Sequence, residues 1–475
     1  MAIDDKDRTF FKLKSLHQLV LSLRRHCSHS ASSLLLWGIV DQSVRRLIRD
    51  VERLDASTVA GADLVRRLAE RGDNLHLYLG FLEAGEANRI PNALVSPLHA
   101  IMQPLAPGSR VVVWCGWIPG NYSAEPKVGE CLKRTVEDVF RRRTHHVARA
   151  VPDVLAVLSF PAAERDNVLL HSALGHELGH VLLVHNKDVD KYPGRTDLKL
   201  DEQALRAAAE RIDAETGAIS ADAKVSGNIF SERMYRQVSA FAAKTLARWR
   251  DELFADAYSV YLLGPAPVLA LYDLAGLPGP SPTHPPGYLR FLVMLECLRL
   301  SGFAREDDNE LGWLAPKLAE IRKACDAPPG PSNPVFPIIE ECVSQHTCRI
   351  ADYVMGASRD ASAAPYTYAD WARCYAPTQL ASGTRNCLVD RLLNYVIPDC
   401  NEAADGHALP ASLASILNSG WALFYGHWDS FCKGLGAASL QGKHRARQRL
   451  FNLLLKGIES SDLSQRWGRG DAVKR

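Results

Sequence analysis

Five consecutive residues, His176-Glu177-Leu178-Gly179-His180, carry the pattern with the clearest chemical content in this chain. On an α-helix, residues four apart lie on one face, so His176 and His180 can offer two ring nitrogens to one ion. Glu177 is one step round the helix and can reach a water molecule beside that ion as a proton acceptor. Apolar residues surround the pattern, with Leu174 before it and Val181-Leu182-Leu183-Val184 after it. Three unpaired polar side chains on so apolar a helix would be costly, which argues for a shared partner.

A catalytic zinc ion takes three protein ligands and keeps a fourth position open. One known pattern supplies a third histidine further along the same helix, after a glycine. Here those two places hold Leu183 and Asn186, so that option fails. His185 is nine residues from His176 and points to roughly the opposite side of the helix. It reads as a surface or packing histidine, and so does His171. A second acidic segment, Asp251-Glu252-Leu253-Phe254-Ala255-Asp256, offers the alternative. Glu252 and Asp256 again stand four apart on one face. Glu252 is the expected third ligand. Asp256 is placed to accept the free ring N–H of a ligand histidine, fixing its tautomer and raising its basicity. Alone, such a cluster would read as a solvated acidic face.

These two segments together resemble the gluzincin metallopeptidases, in particular the HtpX and CAAX-prenyl-protease family. The resemblance extends to Thr283-His284-Pro285 followed by Arg290, which matches that family's histidine and arginine after the glutamate helix. It implies a zincin-like catalytic domain, bound Zn2+, and His284 and Arg290 near the metal as oxyanion stabilisers. The stretch from Glu252 to Leu263 is also similar to the ImmA/IrrE family. The resemblance covers residues 171 to 300. Members of the first family are membrane enzymes, so their prenylated substrates do not carry over to a chain in which no spanning segment is read.

The expected reaction is hydrolysis of peptide bonds in intracellular protein substrates. Glu177 would act as the base, and His284, joined by Tyr258 or Arg290, as the oxyanion donor. The alternative is a non-catalytic or regulatory metal-binding protein acting through partners held by the flanking helices. An intact Glu177 speaks against it, because a purely structural site has no need of a base.

The elements that must position these residues follow from the hydrophobic pattern. Residues 1–105 read as a helical region, with Leu16, Leu19 and Leu23, then Val44, Leu47, Val51 and Leu54, at helical spacing. Arg110 to Pro119 and Asp153 to Phe160 read as strands. The second strand is a candidate edge strand for an extended substrate. A helix is expected from Pro161 through His185, another over Leu200 to Glu215, and a third from Glu232 to Leu263, stopped by Gly264-Pro265. The proline-rich stretch Ala327 to Pro337 reads as a linker, so the expected metallopeptidase domain is 106–325 and the last region, 326–475, is helical. The fold class is therefore α+β, mainly helical, with a small sheet in the catalytic domain.

Composition limits the remaining classes. The 475 residues carry 56 Lys and Arg against 54 Asp and Glu, a balance that gives no reason to expect nucleic acid as the main partner. The basic run Lys443 to Arg449 reads as a solvated helix face. The charged N-terminus shows no secretory signal, and neither Ala31–Val40 nor Ala257–Tyr272 is long enough to span a bilayer. The 11 scattered cysteines, without a Cys-x-x-Cys pair, fit reduced thiols in a cytoplasmic protein.

Overall fold

The structure is a computed structural model. It describes residues 4–26, 31–84, 92–116, 122–141, 145–217, 227–303, 312–326, 333–357, 364–375, 387–402 and 408–468. Part of the expected 327–337 linker, Cys27 and the basic end beyond 468 lie outside the described residues. The architecture is α+β and mainly helical, with one small sheet of three strands and another of two among the described residues.

The apolar spacing near the N-terminus produces helices α1 (Asp5–His26), α2 (Ala31–Glu52), α3 (Val59–Ala84) and α4 (Asn92–Met102). The first three pack on one another. Leu13, Leu16, Val20 and Leu23 form the buried stripe of α1, and Val44, Leu47 and Val51 that of α2. Leu19 was expected in that stripe but is 38% exposed, because Leu16, Val20 and Leu23 already define the inward face. Next come β1 (Arg110–Gly116), β2 (Ser123–Glu125), α5 (Val128–Phe140), α6 (His146–Ala150) and β3 (Leu155–Pro161). All seven residues of β3 are buried, as suits a strand covered on both faces.

The expectation of an edge strand over residues 153–160 is corrected here. The sheet order is β1-β3-β2, so β3 is central. β1 pairs with it in parallel along its whole length, and β2 pairs antiparallel with Val157–Ser159. β2 is only the three residues Ser123-Ala124-Glu125, too short and polar to register as a strand. The chain after β3 also differs from the single long helix expected from Pro161. Two short 3-10 turns, Ala162–Glu164 and Leu170–Ala173, come first. Between them Asn167 bonds back to the carboxylate and the carbonyl of Glu164, closing a turn in place of helix.

The helix bearing the histidines is α7 (Leu174–Asn186). It is followed by α8 (Asp188–Lys191), α9 (Glu202–Gly217) and α10 (Gly227–Leu263). α10 has 37 residues, about 55 Å at 1.5 Å per residue. It ends at Gly264, whose φ of 64° is open to glycine. Then come α11 (Ala266–Ala275), α12 (Gly287–Leu298), α13 (Leu314–Cys325), α14 (Phe336–Ser344), α15 (Thr347–Ala357), α16 (Tyr368–Tyr375) and α17 (Leu388–Leu393). The strands β4 (Cys400–Glu402) and β5 (Ala408–Pro410) pair with each other, and α18 (Leu413–Gly426), α19 (Trp428–Gly434) and α20 (Leu440–Gly468) complete the chain.

The compact units do not follow the three regions expected from composition. One unit contains residues 1–168, 410–413 and 447–475, and the other contains Leu169–Leu409 and Ala414–Ala446. The three-stranded sheet therefore belongs to the first unit and α7, α10 and α12 to the second. Phe336 on α14, at the end of the proline-rich stretch, packs against Trp249 on α10, ring centroids 5.6 Å apart, and both residues belong to the second unit. Among the described residues, no helix is long and apolar enough to cross a membrane. None of the nine described cysteines whose side chains are placed forms a disulfide.

Candidate metal centre

The site is built where α7 lies against α10, and two glycines set how close the helices come. A Cβ on Gly179 would stand 2.6 Å from the carbonyl oxygen of Ala255, and one on Gly175 would stand 2.8 Å from the Leu263 side chain. Only a residue without a side chain lets the α10 backbone approach at Gly179. Leu174, Leu178, Val181 and Leu182 on α7 are buried, as are Leu253, Phe254 and Ala257 on α10. The close approach at the two glycines sets the register that brings His176 and His180 opposite Glu252.

The three side chains converge. The Nε2 atoms of His176 and His180 are 3.0 Å apart. Glu252 Oε2 lies 3.2 Å from His176 Nε2, and Glu252 Oε1 lies 3.4 Å from His180 Nε2. Zinc bonds nitrogen and oxygen at about 2.0–2.1 Å, so tetrahedral ligands stand about 3.3–3.4 Å from each other. The observed spacings fall around that value, and these three residues form a group able to hold a metal ion.

The hydrogen-bond pattern adds a second test. His176 Nδ1 lies 2.8 Å from Asp256 Oδ1. Asp256 is a buried carboxylate, so Nδ1 carries a proton and Nε2 is the nitrogen turned to the centre. Glu252 Oε2 is buried and accepts no hydrogen bond. Nε2 of His176 and this oxygen, 3.2 Å apart, are held together by a proton on Nε2 or by a cation between them.

Arg290, on α12, completes the support. Its Nε and Nη2 donate to the two oxygens of Asp256, each at 2.8 Å. Nη2 also lies 4.0 Å from Glu252 Oε2. The guanidinium and Asp256 are both buried, and the two-pronged geometry compensates their desolvation. Arg290 is thus occupied in holding Asp256, which in turn orients His176.

The same contacts shape the protonation of the metal-free site. Burial works against a charge on His176, yet Asp256 and Glu252 beside it raise its pKa to about 10. Burial would raise the Asp256 carboxyl, but the Arg290 and His176 charges hold it below its ordinary value. Burial would likewise raise Glu252, and the two imidazoles with Arg290 hold it well below the usual carboxylate range. A metal cation needs Glu252 ionised and His176 neutral, so binding at this site displaces the second proton of the His176 ring. Glu177 goes the other way: burial pushes its carboxyl up, against the pull of His176 and His180. That is the direction a proton-accepting carboxylate requires.

His284 sits on the loop between α11 and α12, with Nε2 3.8 Å from Glu252 Oε2. Tyr258 stands elsewhere. It is six residues beyond Glu252, about 240° round the helix. It is buried, with its ring against Tyr261. His171 is buried and packs, while His185 is half-buried near the end of α7. Sequence reasoning passed over Trp249, whose Nε1 donates to the Ser281 carbonyl at 2.7 Å and ties the His284 loop to α10. A tryptophan three residues before Glu252 carries no signal of such a role.

No protein-family model, no curated protein and no solved structure matches this chain.

Proposed function

We propose that the chain is a zinc-dependent endopeptidase of the gluzincin kind, with a zincin-like centre in the second unit acting on intracellular protein substrates. The observation that carries the reading is the convergence of His176, His180 and Glu252, with the His176 ring anchored by Asp256 and an intact Glu177 beside it. The ligand set, two nitrogens and one carboxylate oxygen, is that of hydrolytic zinc sites with an open position. A zinc ion held there lowers the pKa of a water molecule and polarises a carbonyl. Glu177, buried and raised in pKa, takes the proton of the attacking water and delivers it to the leaving amine. His284 supplies an N–H to the oxygen that gains charge. Asp256, gripped by Arg290, keeps the His176 ring in position throughout.

The test is elemental analysis combined with proteolysis of an unfolded protein such as casein. Wild type is expected to carry one zinc per chain and to cleave. Glu177→Gln should keep the zinc and lose cleavage, and Glu252→Gln should lose the zinc. Full activity in Glu177→Gln would overturn the mechanism. A folded wild-type protein that takes up no zinc when supplied would leave the non-catalytic reading.

A further inference from the structure

The groups at the two ends of the His284 ring together favour one direction for its hydrogen bonds. We infer that Thr283, with Ser281 behind it, is a positioning residue that holds the His284 ring in the Nε2–H form, so that a neutral N–H donor points at the centre. The inference rests on the function proposed above and assigns a role to residues outside the ligand set.

Ser281 Oγ accepts two backbone donors, the N–H of His284 at 2.9 Å and that of Thr283 at 3.3 Å. Its own hydrogen has two acceptors in reach, Thr283 Oγ1 at 3.2 Å and the His284 carbonyl at 3.4 Å. Thr283 Oγ1 lies 2.9 Å from His284 Nδ1. With its oxygen accepting from Ser281, the Thr283 hydroxyl has its hydrogen free to donate to Nδ1, although a second lone pair on Oγ1 could accept from Nδ1–H instead. When Thr283 donates, Nδ1 is the unprotonated nitrogen and the ring hydrogen is on Nε2. The other end of the ring selects that arrangement. Nε2 faces the ionised Glu252 Oε2 at 3.8 Å, where a lone pair would be repelled and an N–H is attracted.

The segment is held rigidly enough for this to matter. The Ser281 N–H bonds the His284 carbonyl at 2.9 Å, closing the turn. The Ser281 carbonyl is bonded by Trp249 on α10, and Gly287 N–H is bonded to the Pro278 carbonyl. Pro285 and Pro286 restrict the backbone that follows. The ring itself is 56% exposed in its side chain, open to an arriving substrate. An oxyanion donor must be in place before charge develops, and a ring that spends part of its time as the Nδ1–H form presents a lone pair to that charge.

The experiment compares wild type with Thr283→Val and Thr283→Ser. Histidine labelled with 15N reports the tautomer directly, and His284→Asn identifies the His284 signals. Zinc content and the kcat and KM for casein cleavage are measured on the same samples. The expected result is an Nε2–H ring in wild type and Thr283→Ser, and a mixture of tautomers in Thr283→Val. Complete loss of an oxyanion donor costs about 100- to 1,000-fold in kcat, so the partial loss in Thr283→Val should cost about 10-fold. KM and zinc content should stay unchanged, and Thr283→Ser should restore kcat. Retention of the Nε2–H form in Thr283→Val, or an undiminished kcat beside a changed tautomer, would overturn the inference. A zinc-loaded wild type that cleaves nothing would defeat the peptidase reading instead, and the tautomer would still be decided by the labelled spectra.

Discussion

At the scale of single residues, the centre depends on a chain of contacts running outward from the ligands. Asp256 touches no position that an ion would occupy, yet it determines which nitrogen of His176 faces inward. Asp256→Asn keeps the shape but replaces the charged acceptor, and metal affinity or activity is expected to fall about 10- to 100-fold. Zinc titration against a competing chelator measures this, and an unchanged affinity would show that the His176 tautomer is set by something else. Arg290 belongs to the same chain. Resemblance suggested a role at the oxyanion, while the geometry occupies its guanidinium with both oxygens of Asp256. The difference arises because motif spacing brings a residue into a neighbourhood without saying which atom it will bond.

Secondary-structure elements control how near the two halves of the site come. Gly179 lies between the two candidate ligand histidines, at the point where α7 meets the Ala255 backbone of α10. Backbone cannot move aside as a flexible side chain can. Gly179→Ala is therefore expected to destabilise the fold by about 1–3 kcal/mol and to push the helices apart. Because Glu252 is on one helix and the histidines on the other, zinc affinity should fall with it. Denaturant unfolding together with zinc content checks this prediction. A variant with wild-type stability and full zinc would mean that the helices tolerate a wider spacing. The His284 loop is tied to the same helix through Trp249, so α10 carries the ligand glutamate, its supporting aspartate and the anchor of the loop.

Over the whole molecule, all the candidate residues fall in the second unit, while the three-stranded sheet and the α1–α3 bundle fall in the first. A ligand that binds only the folded state stabilises it, by about 2.7 kcal/mol when present at 100 times its Kd. Zinc should therefore raise the thermal midpoint of the transition belonging to the second unit, and Glu252→Gln should remove that rise. Differential scanning calorimetry with and without zinc would show it. A core change in the first unit, Leu47→Ala, is expected to cost about 2–5 kcal/mol while leaving zinc content unchanged. Loss of zinc in Leu47→Ala would indicate that the two units unfold as one.

The residue types and spacings by themselves determined the local matters: that the His176 and Glu252 segments are helical, that His176 and His180 share a face, that Glu252 and Asp256 share another, and that Gly264-Pro265 ends the long helix. Each depends on the period of a helix or the fixed φ of proline, and the neighbours in sequence suffice to decide it. Tertiary structure decided everything that depends on which element lies beside which. It made β3 central by pairing it with a three-residue strand that has no pattern of its own. It turned Leu19 outward, joined α14 to the site-bearing unit across the proline-rich stretch, and gave the Arg290 fork to Asp256. Those outcomes rest on packing and hydrogen bonding between segments far apart in the chain, and periodicity within one segment carries no information about its partner.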